Sequence, residues 1–412
     1  MTETISLGRL EHLTFKGNLK KTRYGWLRLT PAYSVHLVSE LLDQTEMTNG
    51  VVLDPFCGTG TTALVCAERG IPCDTSDINP FLLWLAQTKA RPYGHEDLES
   101  FRISLKTVSA AIRADGEDAW VPSLHQIEKW WDPETLSALG RAMAKIKVLE
   151  SFVAQSVADL LKVTFCRTMI DRSNVSFGHQ SMSFKKDGTC TPALFGTTQL
   201  ALESWENTSA LIAASAESSI ACEPRTVLCD ARNLVEGMGL DKYTCVITSP
   251  PYPNRMSYIR ELRPYMYWLG YLENGRQAGE MDWQAIGGTW GVATSNAGKW
   301  QPPDDTEVPF EPFTGILANI SATSPVLSKY VHKYFYDMVE HCHQLFSVTK
   351  AGGVVHYIVG NSKFYDVMLP VEQIFAALFG SSGFIDITIR TIRKRTSKKE
   401  LFEYVVSARK PV

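Results

Sequence analysis

The stretch from residue 51 to residue 63 constrains the fold of this chain more than any other. An apolar run ends at Asp54, the chain turns through Gly58 and Gly60, and a helix-like segment follows. The spacing of these glycines and Ala63 is typical of the strand–turn–helix unit of a doubly wound sheet, where glycines let the backbone approach a ligand at a helix N-terminus. The stretch therefore predicts a largely parallel α/β sheet with a ligand site at its first turn.

Two further predicted strands also end at an acidic residue. The strand near 72–76 leads into Asp77, and the strand at 226–229 is followed by Asp230. At these strand ends one carboxylate can accept both hydroxyls of a ribose, and the other can accept the amino group of an adenine. Together with Asp54 they indicate an adenosine-bearing cofactor, although any one of them alone is more simply a turn or helix-capping aspartate.

The tetrapeptide Ser-Pro-Pro-Tyr at residues 249–252 follows another apolar strand, near 244–248. Two consecutive prolines cannot donate to a sheet ladder, so the strand must end there with backbone carbonyls that lack partners. A serine hydroxyl, a free carbonyl and an aromatic ring then lie at one edge of the sheet. Two acceptors and a stacking ring suit a flat heterocycle that carries an exocyclic amino group. Taken alone, the tetrapeptide could equally be a Pro-rich turn.

Strands alternate with helical segments along the chain, which is the pattern of an open, mostly parallel sheet. We predict a doubly wound seven-stranded α/β sheet with a helical insertion and a C-terminal antiparallel hairpin. The predicted strands lie near 51–54, 72–76, 226–229, 244–248, 353–360, 384–393 and 402–408. The predicted organisation is a catalytic domain of residues 1–98 and 222–412, a mostly helical insertion at 99–221, and a long loop at 273–328.

Residues 54–61 and 248–252 together resemble the cofactor and catalytic motifs of the amino-group DNA methyltransferases. These enzymes use S-adenosylmethionine to methylate cytosine N4 or adenine N6. The resemblance implies a Rossmann-like methyltransferase fold, S-adenosylmethionine as cofactor and double-stranded DNA as substrate. Ser249 resembles the cytosine-N4 subgroup, since the adenine-N6 enzymes usually carry Asp or Asn there. Residues 30–34 loosely resemble the element that closes over the methionine of the cofactor.

The resemblance also implies a role for individual residues. Phe56, Gly58 and Gly60 are expected at the methionine end of the cofactor, Asp77 at its ribose and Asp230 near its adenine. The implied catalytic residues, which hold the target base, are Ser249, Pro250, Pro251 and Tyr252. The implied cofactor-binding residues are Thr30, Asp54, Phe56, Cys57, Gly58, Gly60, Thr61, Asp77 and Asp230.

The formal net charge of −3 argues mildly against nucleic-acid binding, but basic residues cluster near the proposed site. The clusters contain Lys16, Lys20, Lys21 and Arg23; Arg260 and Arg263 among Tyr258, Tyr265, Tyr267 and Trp268; and Arg390, Arg393, Lys394, Arg395, Lys398 and Lys399. We expect these clusters to contact phosphate. We expect base reading from the polar stretch 173–191 and from the Trp-rich segment 273–328.

Several classes of site and location are excluded by composition. No apolar run approaches the ~20 residues of a membrane-spanning helix, and the first residues lack a signal-peptide pattern, so we expect a bacterial or archaeal cytoplasmic protein. The nine cysteines include no C-x-x-C pair, so neither disulfides nor a zinc site is expected. The run 341–343, His-Cys-His, is not expected to bind metal, because adjacent helical side chains point in different directions.

Other functions compete with methylation of cytosine N4 in DNA. The same motifs fit an enzyme that acts on adenine N6 or on RNA. The glycine turn and strand-end acids alone also fit a nicotinamide-dependent oxidoreductase, but that class has no use for the tetrapeptide at 249–252. A DNA-binding protein with an inactive cofactor fold is a non-enzymatic alternative. A restriction endonuclease encoded nearby is the expected functional partner of the enzyme.

Overall fold

The computed structural model describes residues 15–18, 23–29, 32–45, 50–114, 119–176, 183–185, 196–254, 257–289, 292–303, 307–395 and 400–412. Its strands are β1 (Val52–Asp54), β2 (Cys73–Asp77), β3 (Val175–Ser176), β4 (Ser183–Phe184), β5 (Arg225–Leu228), β6 (Tyr243–Thr248), β7 (Thr349–Gly360), β8 (Ser362–Phe364), β9 (Val367–Leu369), β10 (Ile385–Lys394) and β11 (Phe402–Arg409). Its first helices are α1 (Phe15–Asn18), α2 (Val35–Gln44), α3 (Thr61–Arg69), α4 (Pro80–Ala90), α5 (His95–Arg113), α6 (Pro133–Leu149), α7 (Gln155–Asp171) and α8 (Thr197–Ala216). The remaining helices are α9 (Leu234–Met238), α10 (Tyr258–Trp268), α11 (Gly275–Gln284), α12 (Val292–Lys299), α13 (Phe313–Thr323), α14 (Pro325–Val348) and α15 (Val371–Ser381).

Seven strands form one sheet in the order β10-β11-β7-β6-β1-β2-β5. The five strands β5, β2, β1, β6 and β7 are neighbours in that order and pair in parallel. Strand β11 runs antiparallel to both β7 and β10. The predicted mostly parallel seven-stranded sheet with a terminal antiparallel hairpin is therefore confirmed. Strand order reverses between β1 and β6, and ligands of open α/β sheets bind beyond the carboxyl ends of the strands at such a switch point.

The helical region between residues 99 and 221 is packed against the sheet domain. Helices α5 to α8 share one hydrophobic core with α4 and α10, in which Phe81, Phe101, Leu161, Trp205 and Trp268 are all buried. Strands β3 and β4 pair antiparallel within the polar stretch. Because the core continues across these elements, the helical region supports the sheet domain directly.

The segment at 273–328 is helical in large part, so the prediction of a long loop there is wrong. Helices α11, α12 and α13 lie within it. Asn274 caps α11 by accepting hydrogen bonds from two first-turn N–H groups, and Phe313 and Ile320 of α13 are buried. These helices are short and are separated by segments that contain Gly and Pro, so their sequences carry too few apolar repeats to reveal a helical period. Trp300 packs against rings on α14; Trp290 lies outside the described residues.

No described helix has the length and apolar character needed to cross a membrane. Within the described ranges, no group of three or more His, Cys, Asp or Glu side chains is arranged to hold a metal ion. His341 is instead fully buried between the Ala231 carbonyl, 2.8 Å from its Nδ1, and the Tyr357 hydroxyl, 2.6 Å from its Nε2. Burial lowers the pKa of His341 to about 4, so the ring is neutral at physiological pH.

Candidate active site

Asp54 joins the carboxyl ends of β1 and β6 beneath the switch point. Its side chain is fully buried and accepts hydrogen bonds from the Thr248 hydroxyl at 2.6 Å, the Tyr33 hydroxyl at 2.8 Å and the Phe56 N–H at 3.2 Å. Burial raises the pKa of Asp54 to about 6 although these hydrogen bonds act to lower it. These hydrogen bonds link the two motifs through Asp54, and a contact between Asp54 and the cofactor stays a prediction.

The glycine turn between β1 and α3 has the backbone geometry that its sequence predicts. Gly58 and Gly60 have φ angles of 50° and 75°, which other residues rarely adopt. A Cβ on Gly60 would lie 2.6 Å from the Cβ of Ala86, so the close approach of the turn to α4 also requires glycine. The neighbouring Cys57 side chain is buried against Leu83 and Ala86 of α4, and its assignment to the cofactor stays a prediction.

Asp77, at the end of β2, is tied to the same turn. One carboxylate oxygen accepts from the Gly58 N–H at 3.0 Å, and the other accepts from the Asn79 N–H at 2.9 Å. Each oxygen keeps a second lone pair, so the carboxylate can still accept two hydroxyl groups. Burial raises the pKa of Asp77 to about 6, against the opposing effect of these backbone hydrogen bonds.

Asp230 lies at the end of β5 but is already engaged. The Arg232 guanidinium donates to both of its carboxylate oxygens, at 3.0 Å and 2.6 Å, and also reaches Asp337 on α14 at 3.1 Å. Burial alone would raise the pKa of Asp230, but the hydrogen bonds from Arg232 outweigh burial and lower it. A contact between Asp230 and an adenine amino group, which stays a prediction, would have to share the carboxylate with Arg232.

The tetrapeptide after β6 presents two hydrogen-bond acceptors. The Ser249 hydroxyl donates its proton to the Ile358 carbonyl of β7 at 2.9 Å and also lies within hydrogen-bond reach of the Tyr252 hydroxyl, so its oxygen can act toward a base only as an acceptor. No described residue donates to the Pro250 carbonyl. The Pro251 carbonyl, by contrast, accepts from the Tyr334 hydroxyl at 2.7 Å, which anchors the turn to α14. Ser249 is therefore fixed as an acceptor beside a second acceptor.

Tyr252 is held at its hydroxyl and covered on one face. The hydroxyl donates to Glu403 at 2.9 Å, and the Arg395 guanidinium lies 4.8 Å from the ring centroid. Arg393 forms an ion pair with the same Glu403 at 2.7 Å. Sequence reasoning missed Tyr334 and Glu403 as neighbours of the tetrapeptide, since neither belongs to a local motif and each is more than 80 residues away in the chain. It expected Arg395 near the site as a phosphate contact, and not against the Tyr252 ring.

Several residues that we expected to contact DNA are occupied within the protein. Arg23 is completely buried, and Tyr265, Tyr267 and Trp268 of α10 belong to the core. Arg390 pairs with Glu40 on the surface at 2.8 Å. Among these predicted residues Arg260 is exposed. The side chains of Lys16, Lys20, Lys21, Tyr258, Lys398 and Lys399 lie outside the described part of the chain, as does the predicted cofactor residue Thr30.

Part of the site matches known proteins. Residues 18–87 match the model of the N6/N4 methyltransferases, described as DNA methylase. The chain is similar to the type II methyltransferase M.AvaI of Nostoc sp., with 24% identity over 63% of this chain and 56% of that protein. It is also 24% identical to the type II methyltransferase M.MjaII of Methanocaldococcus jannaschii, over 32% of this chain and 26% of that protein. The chain thus spans about half the length of M.AvaI.

A solved structure, the rRNA methyltransferase aviRa from Streptomyces viridochromogenes, aligns over 92% of this chain and 86% of that one. The TM-score is 0.28 and the identity 13%, which is too low to support an inference. The match to the N6/N4 methyltransferase model and the sheet topology imply S-adenosylmethionine as the methyl donor. The segment that holds the glycine turn thus matches the N6/N4 methyltransferase model, and the longer chain is similar to type II methyltransferases.

Proposed function

We propose that this protein transfers a methyl group from S-adenosylmethionine to the exocyclic N4 amino group of cytosine in double-stranded DNA. The observation that carries the proposal is the pair of acceptors after β6: a Ser249 hydroxyl committed as donor to Ile358, next to the Pro250 carbonyl, to which no described residue donates. The match to the model described as DNA methylase and the similarity to type II methyltransferases support DNA as substrate, and a restriction endonuclease stays the expected functional partner.

The residues at the ends of β1 and β2 fit this cofactor. Asp77 offers carboxylate lone pairs for the ribose hydroxyls, and the backbone at Gly58 and Gly60 has no Cβ to obstruct a ligand. The N-cap residue of helix α3 is Gly60, which has no side chain to cap the first-turn N–H groups, so this end of the helix can take a negatively charged group. Phe56 lies beside this turn, edge-on to His341 with ring centroids 4.8 Å apart.

The protein has to prepare the acceptor nitrogen, whose lone pair is delocalised into the base. When bound, S-adenosylmethionine supplies a methyl group already activated on a sulfonium. The two amino N–H groups can donate to Ser249 Oγ and to the Pro250 carbonyl. These hydrogen bonds draw the nitrogen toward tetrahedral geometry and free its lone pair, and the fixed orientation of both acceptors contributes to the rate.

The target base must leave the duplex before it can meet these acceptors. Extrusion costs a few kcal/mol of pairing and stacking, which stacking on an aromatic side chain can offset in part. Tyr252 is placed to provide that ring, and its hydroxyl is fixed by Glu403. Because Arg395 covers one face of the ring, the base either stacks on the other face or replaces Arg395.

The pKa of Asp77 predicts how cofactor binding depends on pH. Ribose hydroxyls bind the carboxylate better than the carboxylic acid, so affinity for S-adenosylmethionine should be constant above pH 7 and fall as the pH drops through about 6. Asp77→Asn should weaken binding about 10-fold or more at pH 8, since a charge-assisted hydrogen bond contributes about 1.5–3 kcal/mol. Calorimetry from pH 5 to pH 8 measures both effects.

Asp54 titrates in the same range, so the Asp77→Asn variant is needed to separate the two carboxyl groups. The variant should lose most of the pH dependence between 5 and 7. If it keeps the full dependence of the wild-type protein, Asp77 does not bind the ribose.

The acceptor pair fits any exocyclic amino group. Identification of the methylated nucleoside is therefore needed to distinguish transfer to cytosine N4 from transfer to adenine N6. Purified protein is incubated with methyl-labelled S-adenosylmethionine and either duplex DNA or RNA, and the digested nucleosides are identified by mass spectrometry. We expect N4-methylcytosine from DNA alone. N6-methyladenine or a methylated ribonucleoside would support the corresponding alternative, and 5-methylcytosine would contradict the mechanism.

A further inference from the structure

Lys89, in the last turn of α4, is a buried cation that pairs with no carboxylate in the described part of the chain. Only 2% of its surface is exposed, and its ammonium donates to the Thr59 carbonyl at 3.1 Å. No described carboxylate forms an ion pair with it, and none contributes to its pKa. Lysine is rarely buried unless it is paired, because an unpaired charge in the protein interior is costly. The position therefore calls for a negatively charged ligand.

The side chain of Lys89 lines a small cavity against the glycine turn. Thr59 and Thr61, which flank Gly60, contribute to the same wall, and segments near the start of the chain close the other side. The full set of lining residues is Asn18, Tyr24, Leu27, Leu29, Ala32, Thr59, Thr61 and Lys89. Three features favour an anion here: the ammonium, the threonine hydroxyls and the uncapped N-terminus of α3.

The nearby buried cation, Arg23, does not need such a ligand. Its guanidinium donates to five backbone carbonyls at the ends of α4 and α8, including that of Lys89 itself. The Lys89 ammonium, by contrast, has three N–H donors, and among the described residues one carbonyl, that of Thr59, accepts from it. Burial lowers the pKa of Lys89 to about 8, which still leaves it mostly protonated at pH 7.

We propose that this cavity binds the α-carboxylate of the methionyl group of the cofactor, with Lys89 as its counter-ion. The inference rests on the proposed function for the identity of the cofactor. The geometry adds the location of the carboxylate: beside the turn that Thr59 and Thr61 flank, with Asp77 bonded to Gly58 of the same turn. One buried side chain on α4 would then distinguish S-adenosylmethionine from analogues that lack the carboxylate.

The test is calorimetry with two ligands, S-adenosylmethionine and decarboxylated S-adenosylmethionine. The proteins are wild type, Lys89→Met, Lys89→Gln and the control Lys162→Met, whose lysine pairs with Glu150 near the surface. Wild type should bind S-adenosylmethionine at least about 10-fold more tightly than the decarboxylated ligand. Both Lys89 variants should bind S-adenosylmethionine at least about 10-fold more weakly than wild type and should bind the decarboxylated ligand as tightly as wild type does. Lys162→Met should leave both affinities unchanged.

Equal affinity of wild type for the two ligands would overturn the inference while leaving the proposed function intact. The same holds if the Lys89 variants bind S-adenosylmethionine as tightly as wild type, or if they lose affinity for both ligands equally. Failure of wild type to bind either ligand would overturn the proposed function and this inference with it. Thermal unfolding verifies that each variant is folded, and if Lys89→Met does not fold, the comparison is made with Lys89→Gln.

Discussion

Replacing Ser249 by alanine is expected to lower the rate of methyl transfer at saturating substrate by about 100-fold or more. Ser249 gives its proton to the Ile358 carbonyl, so its oxygen acts only as an acceptor toward the base, and alanine removes that acceptor. Removing one fixed hydrogen-bonding group aimed at the reacting centre of an enzyme typically costs about 10²–10³ in kcat. Affinity for S-adenosylmethionine should be unchanged, since the effect is confined to the acceptor nitrogen.

The matched control for this substitution is Ser347→Ala. Ser347 is another serine whose hydroxyl donates to a backbone carbonyl, that of His343 at 3.1 Å, but it lies on the surface of α14 far along the chain from the tetrapeptide. Single-turnover rates with labelled cofactor compare the two variants directly. A Ser249→Ala enzyme that transfers methyl groups as fast as the control would remove Ser249 from the mechanism.

The second large effect is expected on stability, at Arg23. Arg23→Met should reduce the free energy of unfolding by at least about 3 kcal/mol, because hydrogen bonds to a charged group contribute about 1.5–3 kcal/mol each and the variant leaves several buried carbonyls without a donor. The lost acceptors are the carbonyls of Lys89, Arg91, Ser215, Ala216 and Ser218 and the hydroxyl of Ser218. The variant should therefore loosen the contact between α4 and α8.

Urea-induced unfolding measures this effect against Arg113→Met. Arg113 forms a single exposed ion pair with Glu206 at 2.8 Å, and such pairs contribute at most about 1 kcal/mol. If the two variants unfold at the same urea concentration, the hydrogen bonds of Arg23 do not stabilise the fold as argued.

The strands of the sheet could be predicted because their signals are local. Buried parallel strands have short apolar sequences, and those next to the site end at an acid or at the two prolines, so β1, β2 and β6 could each be placed to within one or two residues. The antiparallel hairpin of β10 and β11 could be predicted because apolar and polar residues alternate along the strand at 384–393. These signals come from residues that are close together in the sequence, so they can be recognised without the structure.

The partners of individual polar residues could not be predicted, because they come from distant parts of the chain. Asp54 has the position of a ligand contact, and nothing near it in the sequence shows that Tyr33 and Thr248 donate to it and make it a buried link between strands. Arg23 stands in a run of basic residues, yet its acceptors are helix ends 66 to 195 residues away. A basic residue in a sequence carries no sign of whether carbonyls or water will surround it.

Mapping modified bases across a whole genome is the most direct measurement of what this protein does. A host without N4-methylcytosine is made to express either the wild-type chain or Ser249→Ala, and its DNA is sequenced by a method that distinguishes N4-methylcytosine, N6-methyladenine and 5-methylcytosine. We predict N4-methylcytosine at one recurring sequence with the wild-type chain and almost none with the variant. Modification at cytosine carbon 5, or equal modification by both proteins, would contradict transfer to an amino group held by Ser249.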